Sequence, residues 1–375
     1  MIRPIWAEVS LPAIAGNMMR IKSLLAPGVK FCPVIKADGY GHGALRVAGE
    51  AMALGVDYLA VALLQEALEL RGAGFRLPVL VLGYTPPEYA PEVVWNRITQ
   101  TIYRLEQAEA LSAAAVEQGA TVKVHVKVDS GMSRLGVPPE DAAAFCQRVA
   151  ALPSLELEGV FTHFATADDT DKSGAELQFA RFSQALDSIA ASGLNIQIRH
   201  CANSAATLEM PHTHLDMVRP GIILYGLNPT GVTCEPSRWP IELEPAMSLK
   251  ARLAMVKDVD PGVAVSYGWK FVTERPSRLG TLPIGYADGY TRMLSGKAEV
   301  VAGGKRAPLV GRICMDQCMV DLTGIAADEG DEVLLFGGSG GESSMPVDVI
   351  AARLDTINYE IVCMVGKRVP RKYLL

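Results

Sequence analysis

Lys36 has the sequence surroundings that most favour chemistry. It stands in the run Phe31-Cys32-Pro33-Val34-Ile35-Lys36-Ala37-Asp38-Gly39-Tyr40-Gly41-His42-Gly43. The apolar half predicts a buried strand and the glycine-rich half predicts a loop, so the ammonium group is hard to solvate at the carboxyl end of a strand. Desolvation lowers a lysine pKa and makes part of the population a neutral, nucleophilic amine. A strand-end lysine that reaches into water is the alternative.

Five further polar side chains end predicted strands: Lys127, Asp129, His163, His200 and Arg219. In a barrel of parallel strands, the carboxyl ends of the strands meet at one mouth, where reactive groups collect. Apolar and polar side chains alternate from residue 124 to residue 129, which also puts His125 on the same face of the strand as Lys127 and Asp129. A single group of this kind is more often a satisfied core residue. The whole set contains more polar groups than a purely structural barrel requires at its mouth, and it therefore predicts a functional site.

Two loops after the last predicted barrel strands have the chemistry of an anion site. One contains Asn203 and Ser204, which indicate a helix start with a hydroxyl and free backbone N–H groups. The other contains Pro220 and Gly221, where a glycine lets the backbone approach an anion closely. Ordinary helix capping explains either loop alone, but the two together predict a phosphate site.

The elements that position these residues alternate regularly from Phe31 to about Tyr225. Apolar strands are separated by Ala- and Leu-rich segments with helical periodicity. This pattern favours an α/β protein with an N-terminal (β/α)8 barrel over residues 1–235, rather than an open doubly wound sheet. The predicted strands are Cys32–Lys36, Tyr58–Leu63, Val79–Gly83, Thr99–Tyr103, Val122–Asp129, Leu157–Thr162, Ile196–His200 and Leu215–Arg219.

After Leu227 the composition changes. The proline-rich segment Asn228–Pro245 predicts a linker, and residues 236–375 predict a mainly β C-terminal domain that closes with a helical stretch, Val347–Cys363. Gly303-Gly304 predicts a hairpin turn, and Gly337–Gly341 a flexible loop. The predicted strands are Ser248–Val259, Arg278–Ile284, Glu299–Ala302, Ala307–Val320 and Glu332–Phe336.

Composition excludes several classes of function. The 375 residues carry a net charge of −6 without a basic block, which argues against nucleic acid or an anionic membrane as the main partner. No apolar run approaches the roughly 20 residues of a membrane span, and the N-terminus lacks a signal peptide. The seven scattered cysteines favour reduced thiols and a cytoplasmic location.

A strand-end lysine opposite a phosphate site suggests pyridoxal 5′-phosphate (PLP), whose aldehyde condenses with a lysine amine. Seven motifs occur in order along the chain: Val34–Gly43, Lys127–Gly136, Thr162–Ala165, Val218–Gly221, Ser266–Gly268, Gly311–Asp316 and Ile357–Glu360. In these motifs the chain resembles the alanine racemase family of fold-type-III PLP enzymes, and the resemblance covers essentially its whole length.

The resemblance implies interconversion of L-alanine and D-alanine by two bases, Lys36 and Tyr267. A free phenol has a pKa near ~10 and is a poor base at neutral pH. We expect a hydrogen-bonded chain from Tyr267 through His163 to Arg219 to lower that pKa. Arg219 should face the pyridine nitrogen of PLP, where a guanidinium keeps its proton and makes the ring a weaker electron sink. Decarboxylases of the same fold place a carboxylate there, so Arg219 favours racemisation.

The resemblance also assigns binding roles. Arg134 should hold the substrate carboxylate, and Lys127 matches a lysine that carries a carbamate in many relatives. Met315 and Asp316 should approach the alanine substrate from the C-terminal domain of a second subunit, in a homodimer with two shared sites. The implied role is supply of D-alanine for peptidoglycan. The expected cofactor-binding residues, in addition to Lys36, are Tyr40, His163, Asn203, Ser204, Arg219, Gly221, Ile222 and Tyr359.

Several alternatives stay open. A serine racemase, a racemase of broader specificity and a PLP-dependent decarboxylase are the rivals within this fold. A metal-dependent barrel hydrolase would use His212 and His214 with a carbamate on Lys127, but both histidines precede the last strand, at the wrong end of the barrel. We therefore predict no metal site. A non-catalytic PLP carrier needs neither Tyr267 nor a second domain.

Overall fold

The computed structural model describes residues 3–231, 239–338 and 343–375. The boundary predicted between residues 235 and 236 lies outside these ranges, as does part of the loop predicted at Gly337–Gly341. The chain begins with strand β1 (Ile5–Ser10) and helix α1 (Leu11–Lys22). The Ser10 hydroxyl accepts a hydrogen bond from Ala13 N at 3.1 Å and so caps the helix.

Eight parallel strands follow and form a barrel. Six of them make one sheet in chain order, and the first and last pair with each other. Val34 bridges to Ala60, and Asp216 N donates to Arg199 O at 3.0 Å, which joins the two parts. The strands are β2 (Lys30–Phe31), β3 (Leu59–Val61), β4 (Val79–Val81), β5 (Thr99–Ile102), β6 (Val122–Lys127), β7 (Leu155–Phe161), β8 (Ile198–His200) and β9 (Met217–Val218).

Helices connect these strands and bury their apolar faces against the barrel, because their apolar residues recur at helical spacing. Phe182 and Ile189, for example, are almost fully buried on one face of the longest helix. The predicted (β/α)8 barrel is confirmed. The helices are α3 (Ala44–Ala53), α4 (Leu64–Gly72), α5 (Ala90–Trp95), α6 (Leu105–Glu117), α7 (Ala142–Ala150), α8 (Ser173–Ala191) and α9 (Ser204–Glu209), and the short element α2 (Lys36–Tyr40) before them is a left-handed turn.

The C-terminal part is mainly β, as predicted. Its strands are β10 (Met247–Arg252), β11 (Met255–Val259), β12 (Ala264–Val265), β13 (Phe271–Val272), β14 (Ser277–Leu282), β15 (Glu299–Ala302), β16 (Lys305–Val310), β17 (Cys318–Asp321), β18 (Glu332–Phe336) and β19 (Arg371–Leu374). Two helices, α10 (Val347–Leu354) and α11 (Asn358–Met364), precede the last strand. Nine strands form one sheet in the order β11-β14-β17-β16-β15-β18-β10-β1-β19, and β12 and β13 form a separate pair.

The N-terminal strand β1 lies in this C-terminal sheet, although it falls in the range predicted for the barrel. It pairs antiparallel with β10 and parallel with β19. Its Ile5, Ala7 and Val9 are fully buried. A strand of this composition carries no sign of which sheet it joins, because pairing partners are chosen by tertiary contacts. The first and last strands of the chain therefore bind the two domains together.

Three predicted elements are interrupted. The stretch Ala307–Val320 is two strands, because Gly311 has φ of 71° and the chain turns out of the sheet there. The predicted strand Ser248–Val259 is divided into β10 and β11, and the predicted helix into α10 and α11, where Asp355 has φ of 55°. The predicted hairpin turn is confirmed, since Gly303 and Gly304 have positive φ between β15 and β16.

Within residues 3–231, 239–338 and 343–375, no helix is both long and apolar enough to cross a lipid bilayer.

Candidate active site

Lys36 begins a left-handed turn at the mouth of the barrel. Ala37, Asp38 and Tyr40 have φ of 53°, 52° and 52°, and Gly39 between them has φ of 61°. Each non-glycine residue in this conformation costs about 1–2 kcal/mol. A run of such residues persists only where its surroundings impose it, which is common at functional sites.

Hydrogen bonds from several elements impose this turn. The Asp38 carboxylate accepts from Ala44 N at 2.8 Å. The buried ring of His42 stacks on Tyr225, and its Nδ1 lies 3.0 Å from Tyr40 O, so Nδ1 carries the proton and donates it. Burial lowers the pKa of His42 to about 4 and keeps it neutral.

The Lys36 side chain is half-buried and close to other cations. Burial, and then the charge of Arg134, lower its pKa from the ordinary lysine value. Glu66 is an anion near enough to act in the opposite direction. The Glu66 carboxylate also accepts hydrogen bonds from Ala37 N, the first residue after the lysine, and from Ala62 N at 2.8 Å. A larger fraction of this amine is therefore neutral, and able to act as a nucleophile, than in an exposed lysine at the same pH.

Lys127, Arg134 and Arg219 form a positive cluster with Lys36, and His163 lies within reach of their charges. Burial followed by the charges of Arg134 and Arg219 lowers the pKa of Lys127 to about 8. Burial and Arg219 also lower the pKa of His163 far below its usual range. This excess of positive charge favours anionic ligands at the mouth.

Arg219 lies in the wall of this mouth with only 3% of its surface exposed. Its guanidinium donates to Thr162 O at 2.9 Å and to His200 Nδ1 at 2.7 Å. It also lies 3.4 Å from Nδ1 of His163. Burial lowers the pKa of Arg219 to about 10, so it remains protonated at neutral pH. The His163–Arg219 half of the predicted chain therefore forms within one chain.

The predicted phosphate residues converge across the mouth from Lys36. The Ser204 hydroxyl accepts from Gly221 N at 2.8 Å, and a Cβ added to Gly221 would lie 2.4 Å from the Tyr40 hydroxyl oxygen. Asn203 caps α9 by accepting from Ala206 N at 3.1 Å. Ile222 follows at the start of a single 3-10 turn, Ile222–Tyr225.

Tyr359 reaches this group from the C-terminal domain. Its ring centre lies 6.3 Å from that of Tyr40, and its hydroxyl donates to Pro229 O at 3.0 Å. The Lys36 amine lies 5.9 Å from the centre of the Tyr40 ring. The set thus brings together an amine, several hydroxyls and a glycine backbone that a ligand can approach closely, which suits a ligand with a carbonyl and a phosphate.

Tyr267, Met315 and Asp316 form a second group. They line a cavity of about 710 Å³ whose walls all come from the C-terminal domain. Tyr267 is 69% exposed and the neighbouring Trp269 is 76% exposed. Within a single chain, the structure therefore brings these three residues to one another and not into the cationic cluster.

Backbone contacts position this second group. Ser266, in the left-handed region with φ of 65°, donates from its hydroxyl to Arg312 O at 2.6 Å. Ala287 N donates to Met315 O at 3.0 Å, and the Asp316 carboxylate pairs with Arg368 at 2.6 Å. The segment between β16 and β17 is thus tied to the turn that carries Tyr267.

The histidines of the rival metal site lie elsewhere. His212 pairs with Glu176 at 3.1 Å, and His214 contacts Thr207 O at 3.0 Å. In the part of the chain that the structure describes, no three His, Cys, Asp or Glu side chains are placed to hold a metal ion.

Sequence reasoning missed Glu66 and Arg371. Arg371 donates to Gly41 O at 2.9 Å, and also to the carbonyls of Val365, Gly366 and Val369, so it joins the C-terminal strand to the Lys36 turn. Neither residue has a sequence signal, because an isolated Glu or Arg on an amphipathic element is usually solvated.

Fold-type-III PLP enzymes are the class that combines such a barrel, with a lysine at its mouth, and a β-sheet domain. The family model "Alanine racemase, N-terminal domain" matches residues 9–229, and "Alanine racemase, C-terminal domain" matches residues 246–373. The alanine racemase of Desulfovibrio desulfuricans is 62% identical over 373 residues, which cover 99% of this chain and 98% of that protein. The chain belongs to the alanine racemase family.

Solved structures agree with this membership. The alanine racemase of Clostridium difficile 630 superposes with a TM-score of 0.93 at 44% identity, and the match covers 99% of this chain and 96% of that one. The alanine racemase of Bartonella henselae, described with covalently bound pyridoxal phosphate, gives a TM-score of 0.88 at 29% identity and covers 99% of both chains.

Gly221→Ala should weaken PLP binding by about tenfold or more, since the new Cβ would press on the Tyr40 hydroxyl. Fluorescence titration of the apoenzyme with PLP measures the affinity. Gly49→Ala is the control, because nothing lies within 4 Å of its added Cβ. Equal affinities of the two variants would show that the Gly221 backbone does not approach the cofactor.

Proposed function

We propose that this protein is a PLP-dependent racemase that interconverts L-alanine and D-alanine, with Lys36 and Tyr267 as its two bases. The observation that carries the proposal is the half-buried Lys36 amine of lowered pKa, which lies beside the Tyr40–Ser204–Gly221 cradle. Membership of the family supports the reaction, since full-length relatives carry the name alanine racemase.

The residues present fit PLP. Lys36 would hold it covalently, while Tyr40, Ser204, Gly221, Ile222 and Tyr359 would bind the phosphate, with Asn203 shaping the loop. Arg219 and His163 would lie along the ring. Bound PLP supplies an electron sink for the electron pair that the α-proton leaves behind.

Arg219 favours racemisation over decarboxylation. Its donors already contact Thr162 O and His200, and it keeps its charge at neutral pH. A guanidinium does not hand over a proton, so a cofactor ring nitrogen held beside Arg219 would stay unprotonated and the electron sink would be weakened. A weaker sink disfavours side reactions in which the electron pair is used elsewhere.

Racemisation removes a proton from one face of Cα and returns one to the other face. A base is therefore required on each side. Lys36 supplies one from the barrel. Tyr267 supplies the other from a C-terminal domain, and its exposure of 69% within one chain leaves the phenol available to a second subunit.

We infer a homodimer in which each C-terminal domain, residues 236–375, completes the barrel site of its partner. Two-fold symmetry gives two equivalent sites. Met315 and Asp316, held beside Tyr267, would then approach the substrate, and Arg134 would bind its carboxylate. Small substrates suit this arrangement. Alanine is the substrate we propose, with serine as the second candidate.

The biological role that follows is supply of D-alanine for peptidoglycan in the cytoplasm. The six cysteines that the structure describes are free thiols, which suits a reducing compartment.

Tyr267→Phe should abolish proton exchange from one enantiomer of alanine and leave exchange from the other largely intact. Loss of a general base lowers that rate by about 10²–10⁴-fold. Mass spectrometry of L-alanine and D-alanine incubated separately with enzyme and PLP in D₂O measures the exchange. If the variant exchanges both enantiomers at the wild-type rate, the two-base assignment is wrong.

Mixing Lys36→Ala with Tyr267→Ala should restore activity, although each variant alone is inactive. Random reassociation places Lys36 and Tyr267 together in roughly a quarter of all sites if every site is shared between subunits. D-alanine formation after dissociation and reassociation is the measurement. Activity that stays at the level of the separate variants would exclude shared sites.

Lys127 should take up carbon dioxide as a carbamate, which would give Arg134 an anionic partner. Only a neutral amine reacts, and the folded-state pKa of about 8 rather than 10.5 puts half of the amine in that form near pH 8. We expect ¹³C-bicarbonate labelling to rise between about pH 7 and pH 9.

Lys123, on the same strand, is the control for this labelling. Burial disfavours its charge, but the hydrogen bond that it donates to Glu158 and the charge of that carboxylate outweigh burial and raise its pKa, so its amine stays charged. The carbamate signal should disappear in Lys127→Met and persist in Lys123→Met. A free amine at Lys127 across this pH range would remove the carbamate from the proposal.

A further inference from the structure

A line of buried polar side chains runs along the barrel interior, away from the cationic mouth. Arg219 lies 2.7 Å from His200 Nδ1. His200 Nε2 lies 2.8 Å from His125 Nδ1, and His125 Nε2 lies 3.1 Å from the Glu158 carboxylate. Both histidines are fully buried and Glu158 is 3% exposed. We call this set of four residues the core chain.

The backbone is shaped around the core chain. Strands β6 and β7 shift register so that Val124 pairs with Leu157 and His125 pairs with Gly159, which makes Glu158 the extra residue of a β-bulge. Bulges re-aim side chains, and this one accompanies a carboxylate that is buried in the barrel. A Cβ added to Gly159 would lie 2.6 Å from His125 Nδ1, so the glycine leaves room for the imidazole.

Hydrogen-bond rules fix where every proton of the core chain lies. Glu158 is an acceptor, so His125 must donate to it from Nε2 and accept at Nδ1. His200 must then donate to His125 from Nε2, which leaves its own Nδ1 as an acceptor. Arg219 can only donate, and it meets an acceptor at that position. All three donors therefore point towards Glu158.

The charges agree with this arrangement. Burial disfavours the Glu158 carboxylate, but hydrogen bonds from His125, Lys123 and Tyr58 outweigh it and hold the pKa of Glu158 at about 2. Burial and the charge of Arg219 keep the pKa of His200 well below its usual range, and burial lowers that of His125. One ionised carboxylate thus faces two neutral imidazoles.

We propose that Glu158 is a positioning residue for racemisation: through His125 and His200 it fixes the acceptor that orients Arg219. If His125 and His200 were protonated on Nδ1 instead of Nε2, the Nδ1–H of His200 would face the guanidinium of Arg219. Two donors cannot form a hydrogen bond with each other, so Arg219 would rotate or move away. The proposal rests on the proposed function, in which Arg219 faces the cofactor ring. It adds a group from β7 that touches neither cofactor nor substrate.

The protonation states are measured by long-range ¹H–¹⁵N correlation spectra of the holoenzyme labelled at its six histidines. We expect His125 and His200 to show the single pattern of an Nε2–H imidazole. An Nδ1–H pattern or an imidazolium at either residue would overturn the proposal. This readout does not depend on catalysis, so it separates failure of the core chain from failure of the racemase assignment.

Glu158→Met removes the acceptor at similar length. We expect kcat to fall by about tenfold or more and His200 to lose its single-tautomer pattern. Glu158→Gln keeps an acceptor oxygen, so it should restore the pattern and most of kcat. Tyr58→Phe is the control for a lost hydrogen bond at the same carboxylate, and its kcat should stay within about twofold of wild type.

A Glu158→Met enzyme that keeps the wild-type His200 pattern would refute the proposal, even if its activity falls. Should that variant fail to fold, Gly159→Ala serves instead. It presses on the His125 ring without removing a charge, and we expect it to disturb the His200 pattern in the same way. An undisturbed pattern in Gly159→Ala would also count against the core chain.

Discussion

Burial of the Arg219 guanidinium is the constraint on which the barrel mouth depends. A permanent charge in the core must find acceptors for its donors, and here they come from the ends of two neighbouring strands, at Thr162 O and His200 Nδ1. The same charge lowers the pKa values of His163 and Lys127, after burial. The protonation states of these two residues therefore depend on Arg219, whose position depends in turn on the two strand ends that accept its hydrogen bonds.

Strain in the turn after Lys36 is the second organising feature. Four consecutive residues after Lys36 lie in the left-handed region. The bonds that hold them come from elements far apart in sequence: Glu66 on α4, Ala44 on α3 and Arg371 on β19. Since Ala37 and Tyr40 have no local preference for this conformation, its geometry depends on contacts from distant parts of the fold, including the last strand of the chain.

The two groups of candidate residues lie in different environments within one chain. Burial perturbs the pKa values of Lys36, Lys127, His163 and Arg219 in the barrel. The group that contains Tyr267 is exposed, and hydrogen bonds from Ser266 and Ala287 to backbone carbonyls hold its loops together. Under the proposed function, an exposed aromatic group held in this way would lose little conformational entropy on entering the cationic mouth of a second subunit.

Strong local patterns in the sequence determined the barrel, the hairpin at Gly303-Gly304 and the choice of Lys36, because periodicity, turn residues and a charged residue at a strand end each have a short-range physical meaning. Tertiary structure alone decided that β1 joins the C-terminal sheet, that the chain leaves the strand at Gly311, and that a bulge accompanies the burial of Glu158. These outcomes depend on contacts between residues far apart in the chain, which no local pattern encodes.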